Sequence, residues 1–65
     1  MIYEIFTEKE WGTNKVYATA FGDVEKDIII ENALATHVNV VVRKDGKNYE
    51  SIWRRKDGSR THKFA

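Results

Sequence analysis

Apolar and polar residues alternate most regularly in the C-terminal half of the chain. Val38, Val40 and Val42 recur at every second position, and Tyr49, Ser51 and Trp53 resume that spacing after a polar break. A period of two marks a strand with one buried and one wet face. The breaks fall at Asp45-Gly46 and Asp57-Gly58, and Asp-Gly supplies the positive φ that a two-residue hairpin turn requires. A three-stranded meander is predicted.

Counting outward from two-residue turns sets a register. Lys44 then faces Lys47, Val42 faces Tyr49, Val40 faces Ser51 and Val38 faces Trp53. Around the second turn Lys56 faces Ser59, Arg55 faces Arg60, Trp53 faces His62 and Ser51 faces Phe64. Directly opposed residues share a side of the sheet. The expected core face therefore carries Val38, Val40, Val42, Tyr49, Ser51, Trp53, His62 and Phe64. The expected wet face carries Asn39, Val41, Arg43, Asn48, Glu50, Ile52, Arg54, Thr61 and Lys63.

Upstream, Ile2 to Thr7 and Lys15 to Phe21 also read as strands, joined by the polar stretch Glu8 to Asn14. Ile2 and Phe6 compete with Tyr3 and Ile5 for the buried side. Asp23 to Thr36 reads as a helix, with Asp23 as its cap, acids in its first turn and Asn32-Ala33-Leu34-Ala35 continuing it. Ala18 and Ala20 let such a helix approach the second strand closely. Three consecutive Ile residues lose side-chain freedom in a helix, so the alternative is a further strand at Asp27 to Glu31 and a small all-β barrel.

Composition agrees with a sheet. Val and Ile number 12 against one Leu, and five Thr add to the β-branched total. The expected fold is a single α+β domain over residues 1–65, of order ββαββ(β), with one helix on a mostly antiparallel sheet. The chain has no Cys, so no disulfide supports so small a core. With no basic-then-apolar leader and no long apolar run, a soluble, cytoplasmic protein is expected, away from membranes.

Charge is segregated along the sequence: residues 1–42 carry a net −4 and residues 43–65 a net +5. Acidic and basic halves on one small body suit electrostatic complementarity with a protein partner. Basic residues interleaved with aromatics also suit nucleic acid, although a net charge of +1 gives little long-range attraction to a polyanion. The candidate partner-binding residues are Arg54, Arg55, Lys56 and Arg60, crowded around Asp57-Gly58, together with Lys63. Trp11 joins them as an aromatic in a polar loop beside Gly12, where the alternative is that it caps an open end of the core.

No catalytic chemistry is legible. The sequence has no phosphate-binding glycine loop and no metal-ligand spacing; His37 falls at the expected helix-to-strand junction and His62 on the expected core face. No cofactor, metal or catalytic residue is assigned. The expected function is a non-catalytic protein-binding module, an adaptor or inhibitor that occupies a partner's surface, with a nucleic-acid-handling complex as one candidate partner. Direct DNA or RNA binding through the basic hairpins is the alternative.

Gly46-Lys47-Asn48-Tyr49-Glu50, followed by Arg54 to Phe64, resembles the three-stranded arm-binding domains of phage-type integrases over about a third of the chain. The resemblance rests on turn chemistry, and the helix that follows the sheet in that family has no counterpart here, so no family is assigned. In size and style the domain resembles the small accessory proteins of phages and mobile elements.

Overall fold

The computed structural model describes residues 1–65. Strands β1 (Tyr3–Thr7) and β2 (Ala18–Ala20) precede a helix, α1 (Asp23–Leu34). Strands β3 (Asn39–Lys44), β4 (Lys47–Arg54) and β5 (Arg60–Phe64) follow it. All five strands form one open sheet in the order β2-β1-β3-β4-β5, each neighbouring pair antiparallel. The α+β architecture expected from the pattern is present. The all-β barrel is overturned, because Asp27 to Glu31 lie inside α1.

The helix tolerates its Ile triplet because the three side chains meet different surroundings. Ile30 is buried, Ile29 packs against the core from its edge, and Ile28 faces solvent. Each β-branched residue costs under about 0.7 kcal/mol of helix propensity, which burial of Ile30 and Leu34 outweighs. Gly22, in extended backbone, holds the N-cap position without a side-chain cap. Asp23, expected there, lies inside the first turn and accepts a 2.5 Å hydrogen bond from the Tyr3 hydroxyl. The core joins Tyr3 and Ile5 of β1, Ala20 of β2, Ile30, Ala33 and Leu34 of α1, Val40 and Val42 of β3, and Ile52 of β4. Of the two alanines expected to admit the helix, Ala20 is fully buried and Ala18 half-buried, and with Ala33 of α1, also fully buried, they let α1 sit close on β2.

The first hairpin turns at the predicted residues, with φ of 51° at Asp45 and 83° at Gly46, and Lys44 faces Lys47. The predicted register then fails. A β-bulge between Val42 and Arg43 admits Tyr49 as an extra residue, so Val42 faces Glu50, Val40 faces Ile52 and Asn39 faces Trp53. A slip of one residue exchanges the two faces of a strand. Glu50 and Ile52 are therefore buried under α1, whereas Ser51 and Trp53 turn to the other side of the sheet. Val38, placed in the core by the alternation, precedes the strand and is exposed. The bulge has a packing reason. Tyr49 stays on the helix side with its ring 5.7 Å from that of Tyr3 and 5.8 Å from that of Phe64, while Ile52 fills the core position that Ser51 would otherwise occupy.

The second turn is also longer than predicted. Arg55 donates to the Ser59 carbonyl at 2.8 Å, Gly58 donates to the Arg55 carbonyl at 3.0 Å, and Gly58 has φ 89°. This is a three-residue loop with its glycine in the left-handed region. The Asp57 carboxylate stabilises it by accepting from the Ser59 amide and hydroxyl at 2.9 and 2.6 Å. Arg54, not Arg55, consequently faces Arg60, and His62 faces Ile52 rather than Trp53. Phe64 faces Glu50 rather than Ser51. The two one-residue shifts cancel at β5, leaving His62 and Phe64 on the helix side as expected.

Candidate functional site

The helix covers only part of its side of the sheet. It packs on β2, β1 and β3, covers Ile52 of β4, and reaches Glu50 of β4 and Arg60 of β5 through two ion pairs. Lys26 Nζ lies 3.1 Å from Glu50 Oε1, and Glu31 accepts both terminal nitrogens of Arg60 at 2.7 Å each. Between α1 and the β4–β5 half of the sheet lies a groove of about 310 Å³. Ile30 and Ile52 line it with Asp27, Glu31, Arg60 and His62, and Glu50 closes its inner end.

Glu50 is 3% exposed and Lys26 8%, which is unusual for either residue. The Glu50 carboxylate is held between the Lys26 ammonium and the His62 ring. The ammonium also stands over the Tyr3 and Tyr49 rings, 5.1 and 5.4 Å from their centroids. Burial pulls the Lys26 pKa down, but the Glu50 carboxylate, aided by Asp27, holds it above the ordinary lysine value. Lys26 is thus a fixed cation rather than a free amine. The hydrogen bond to Asp23, reinforced by burial, pushes the Tyr3 hydroxyl up to about 12. Neither histidine is hydrogen-bonded to a hydroxyl; His37 Nδ1 meets Glu8 at 2.9 Å, and His62 meets Glu50. No three His, Cys, Asp or Glu side chains converge as a metal-binding group.

The opposite side of the sheet has no helix over it. Phe6, Val41, Ser51 and Lys63 lie in one cross-strand row, and Asn39, Trp53 and Thr61 in the next. Trp53 is 40% exposed, so the sequence expectation that it packs in the core is corrected by the bulge. Trp11 is 48% exposed, as expected, and its ring also packs edge-on against buried Phe6 at 5.6 Å. Its loop is well tied. Glu10 accepts from the Thr7 amide at 3.0 Å and hydroxyl at 2.5 Å, and the Trp11 amide donates to the Thr7 carbonyl. Glu8 accepts from the Val38 amide at 2.8 Å. Although burial opposes it, that bond and His37 hold the Glu8 carboxyl below its usual range.

The structure does not gather the predicted partner-binding residues into one patch. Lys63 lies on the open face in the row next to Trp53. Arg55 and Lys56 sit at the exposed β4–β5 loop, and Arg54 Nε points to the His37 carbonyl at 3.4 Å. Arg60 is engaged by Glu31 on the helix side. Sequence reasoning missed Trp53 as a surface residue, and missed Phe64, 59% exposed with its ring stacked 4.7 Å from that of His62. The signal for Trp53 was its place beside Arg54 and Arg55 in a strand whose neighbour Ile52 is the better core residue. Comparison with protein-family models, curated proteins and solved structures finds no match to the chain. No helix is long and apolar enough to cross a membrane.

Proposed function

We propose that the chain is a non-catalytic protein-binding module, an adaptor or inhibitor that acts by occupying a partner's surface, and that it binds through the open face of its sheet. The observation that carries this reading is the placement of two half-exposed tryptophans on one uncovered face, among charges of opposite sign. Lys63 lies near Trp53, with Arg55 and Lys56 at the adjoining loop, whereas Glu4 of β1 lies on the same face opposite Arg43. Tryptophan is enriched among binding hot spots, and a fixed sheet presents it at low entropic cost. A face that carries both signs of charge suits a protein with the complementary pattern better than a uniform polyanion.

The test is capture from a native lysate, with and without nuclease, by the wild-type domain and by its Trp53→Ala and Trp11→Ala variants. The reading expects a protein retained after nuclease and lost on the order of tenfold in each variant. Loss of all capture after nuclease would favour the second reading, nucleic acid stacked on Trp53 with phosphates at Lys63, Arg55 and Lys56.

A further inference from the structure

We infer that the groove between α1 and the β4–β5 half of the sheet docks an amphipathic helix from a partner protein, one bearing Lys or Arg along its flank. This surface is on the other side of the sheet from the two tryptophans, and the inference does not rest on them. A sheet face is normally covered by the layer packed on it. Here one helix packs on β2, β1 and β3 and reaches only Glu50 and Ile52 of β4, which leaves His62 and Phe64 of β5 exposed beside the 310 Å³ groove. A second helix lying alongside α1 would complete the layer, setting its apolar ridge across the mouth of the groove and against the exposed Phe64 ring, which stacks on the groove residue His62 at its edge.

Charge selects the occupant. α1 carries Asp23, Glu25, Asp27 and Glu31 against a single Lys26, which is buried. Its groove side, Asp27 and Glu31, repels phosphates and would equally repel the acidic helix of a second copy. Arg60 already shows what this bank accepts, since its guanidinium crosses the groove to grip Glu31 through both terminal nitrogens. A partner arginine or lysine would run its aliphatic stem along the groove past His62 and take the same carboxylate, displacing Arg60.

The experiment uses a display library of 20-residue amphipathic helical peptides whose flank positions vary among Lys, Arg, Gln, Asp and Glu, selected on the intact domain. Enriched peptides are then titrated by fluorescence anisotropy. Lys- and Arg-flanked sequences should emerge. Glu31→Lys and Phe64→Ser should each weaken them on the order of tenfold, whereas Arg60→Ala, which frees Glu31, should bind as tightly or more tightly. Trp53→Ala should leave these affinities unchanged, which separates this groove from the open face. Circular dichroism melts establish that each variant is folded. Enrichment of acidic or uncharged flanks, or indifference to both Glu31→Lys and Phe64→Ser, would overturn the inference. So would self-association in equilibrium sedimentation that disappears with Phe64→Ser, because the occupant would then be a second copy.

Discussion

Glu50 offers the sharpest test of the packing, because replacing it with Leu removes one charge from a buried pair and leaves the other. In Glu50→Leu the Lys26 ammonium, 8% exposed, keeps only Asp27 at 3.5 Å and the faces of Tyr3 and Tyr49. An uncompensated buried charge costs about 3–5 kcal/mol. The remaining aspartate and the two rings place the expected loss near the lower end, about 3 kcal/mol. A domain of this length has about 3–10 kcal/mol of total stability, so the variant should be partly or largely unfolded at 25 °C. Urea unfolding followed by far-UV circular dichroism measures this. With an m-value of about 1 kcal/mol/M, the midpoint should fall by about 3 M or leave no folded baseline. The double variant Lys26→Met/Glu50→Leu removes both charges and should recover most of the loss, since an apolar pair of similar volume often matches a buried ion pair. A loss below about 1 kcal/mol in the single variant, or a double variant less stable than either single, would refute the reasoning.

Other expectations follow from exposure, titration and backbone geometry. Trp53→Ala should change thermal stability by no more than about 1 kcal/mol, as for a surface site; a loss of about 3–5 kcal/mol would return Trp53 to the core. The Tyr3 pKa is raised in the folded state, so its contribution is intact below the ordinary tyrosine value near 10 and fades as pH rises through about 12. A tyrosinate absorbance titration should show a late step that Tyr3→Phe abolishes, and persistence of that step would exclude the Asp23 hydrogen bond as its cause. Gly46→Ala should cost about 1–2 kcal/mol because φ there is 83°. Gly22→Ala, in ordinary extended backbone with open space around it, carries no positive-φ penalty and should lose only the N-cap preference of Gly over Ala, about 0.5 kcal/mol, and equal melting shifts for the two glycines would contradict these geometries.

Elements were easier to read from the sequence than faces. The sheet, the helix after β2 and the Asp45-Gly46 turn all followed from β-branched content, an acidic first turn and positive-φ chemistry, which are local properties. The register was not local. Val42, Tyr49, Ser51 and Trp53 alternate so regularly that a plain ladder fits them, and nothing between Asn48 and Glu50 announces an extra residue. Only the three-dimensional contacts of Tyr49 with Tyr3 and Phe64, and the fit of Ile52 beneath α1, decide for the bulge. The same error hid the sites. A plain ladder buries Trp53, which lies on the open face, and exposes Glu50, which organises the inner end of the groove. It also sets Arg55 against Arg60, whereas Arg54 holds that place and Arg60 reaches across to Glu31.

That account of the register distinguishes two deletions of equal length in the same strand. Removing Tyr49 takes out the bulge residue itself, so Glu50 still faces Val42 and Ile52 still faces Val40. The loss is one half-buried ring with its contacts to Tyr3 and Phe64, about 1–3 kcal/mol, and the domain should remain folded with Trp53 open to iodide quenching. Removing Ser51 instead moves every later residue of β4 by one position beyond the bulge. Ile52 would swing to the open face and Trp53 would be driven under α1, into space filled for an isoleucine. Losing a core isoleucine costs about 2–5 kcal/mol, and forcing in a larger ring adds about 1–3 kcal/mol more. The sum meets or exceeds the stability of a domain this small, so the Ser51 deletion should show no cooperative melt. If the Ser51 deletion proved as stable as the Tyr49 deletion, Ile52 would not be the residue that fixes the register, and the plain alternation of the sequence would have been the better guide to the core.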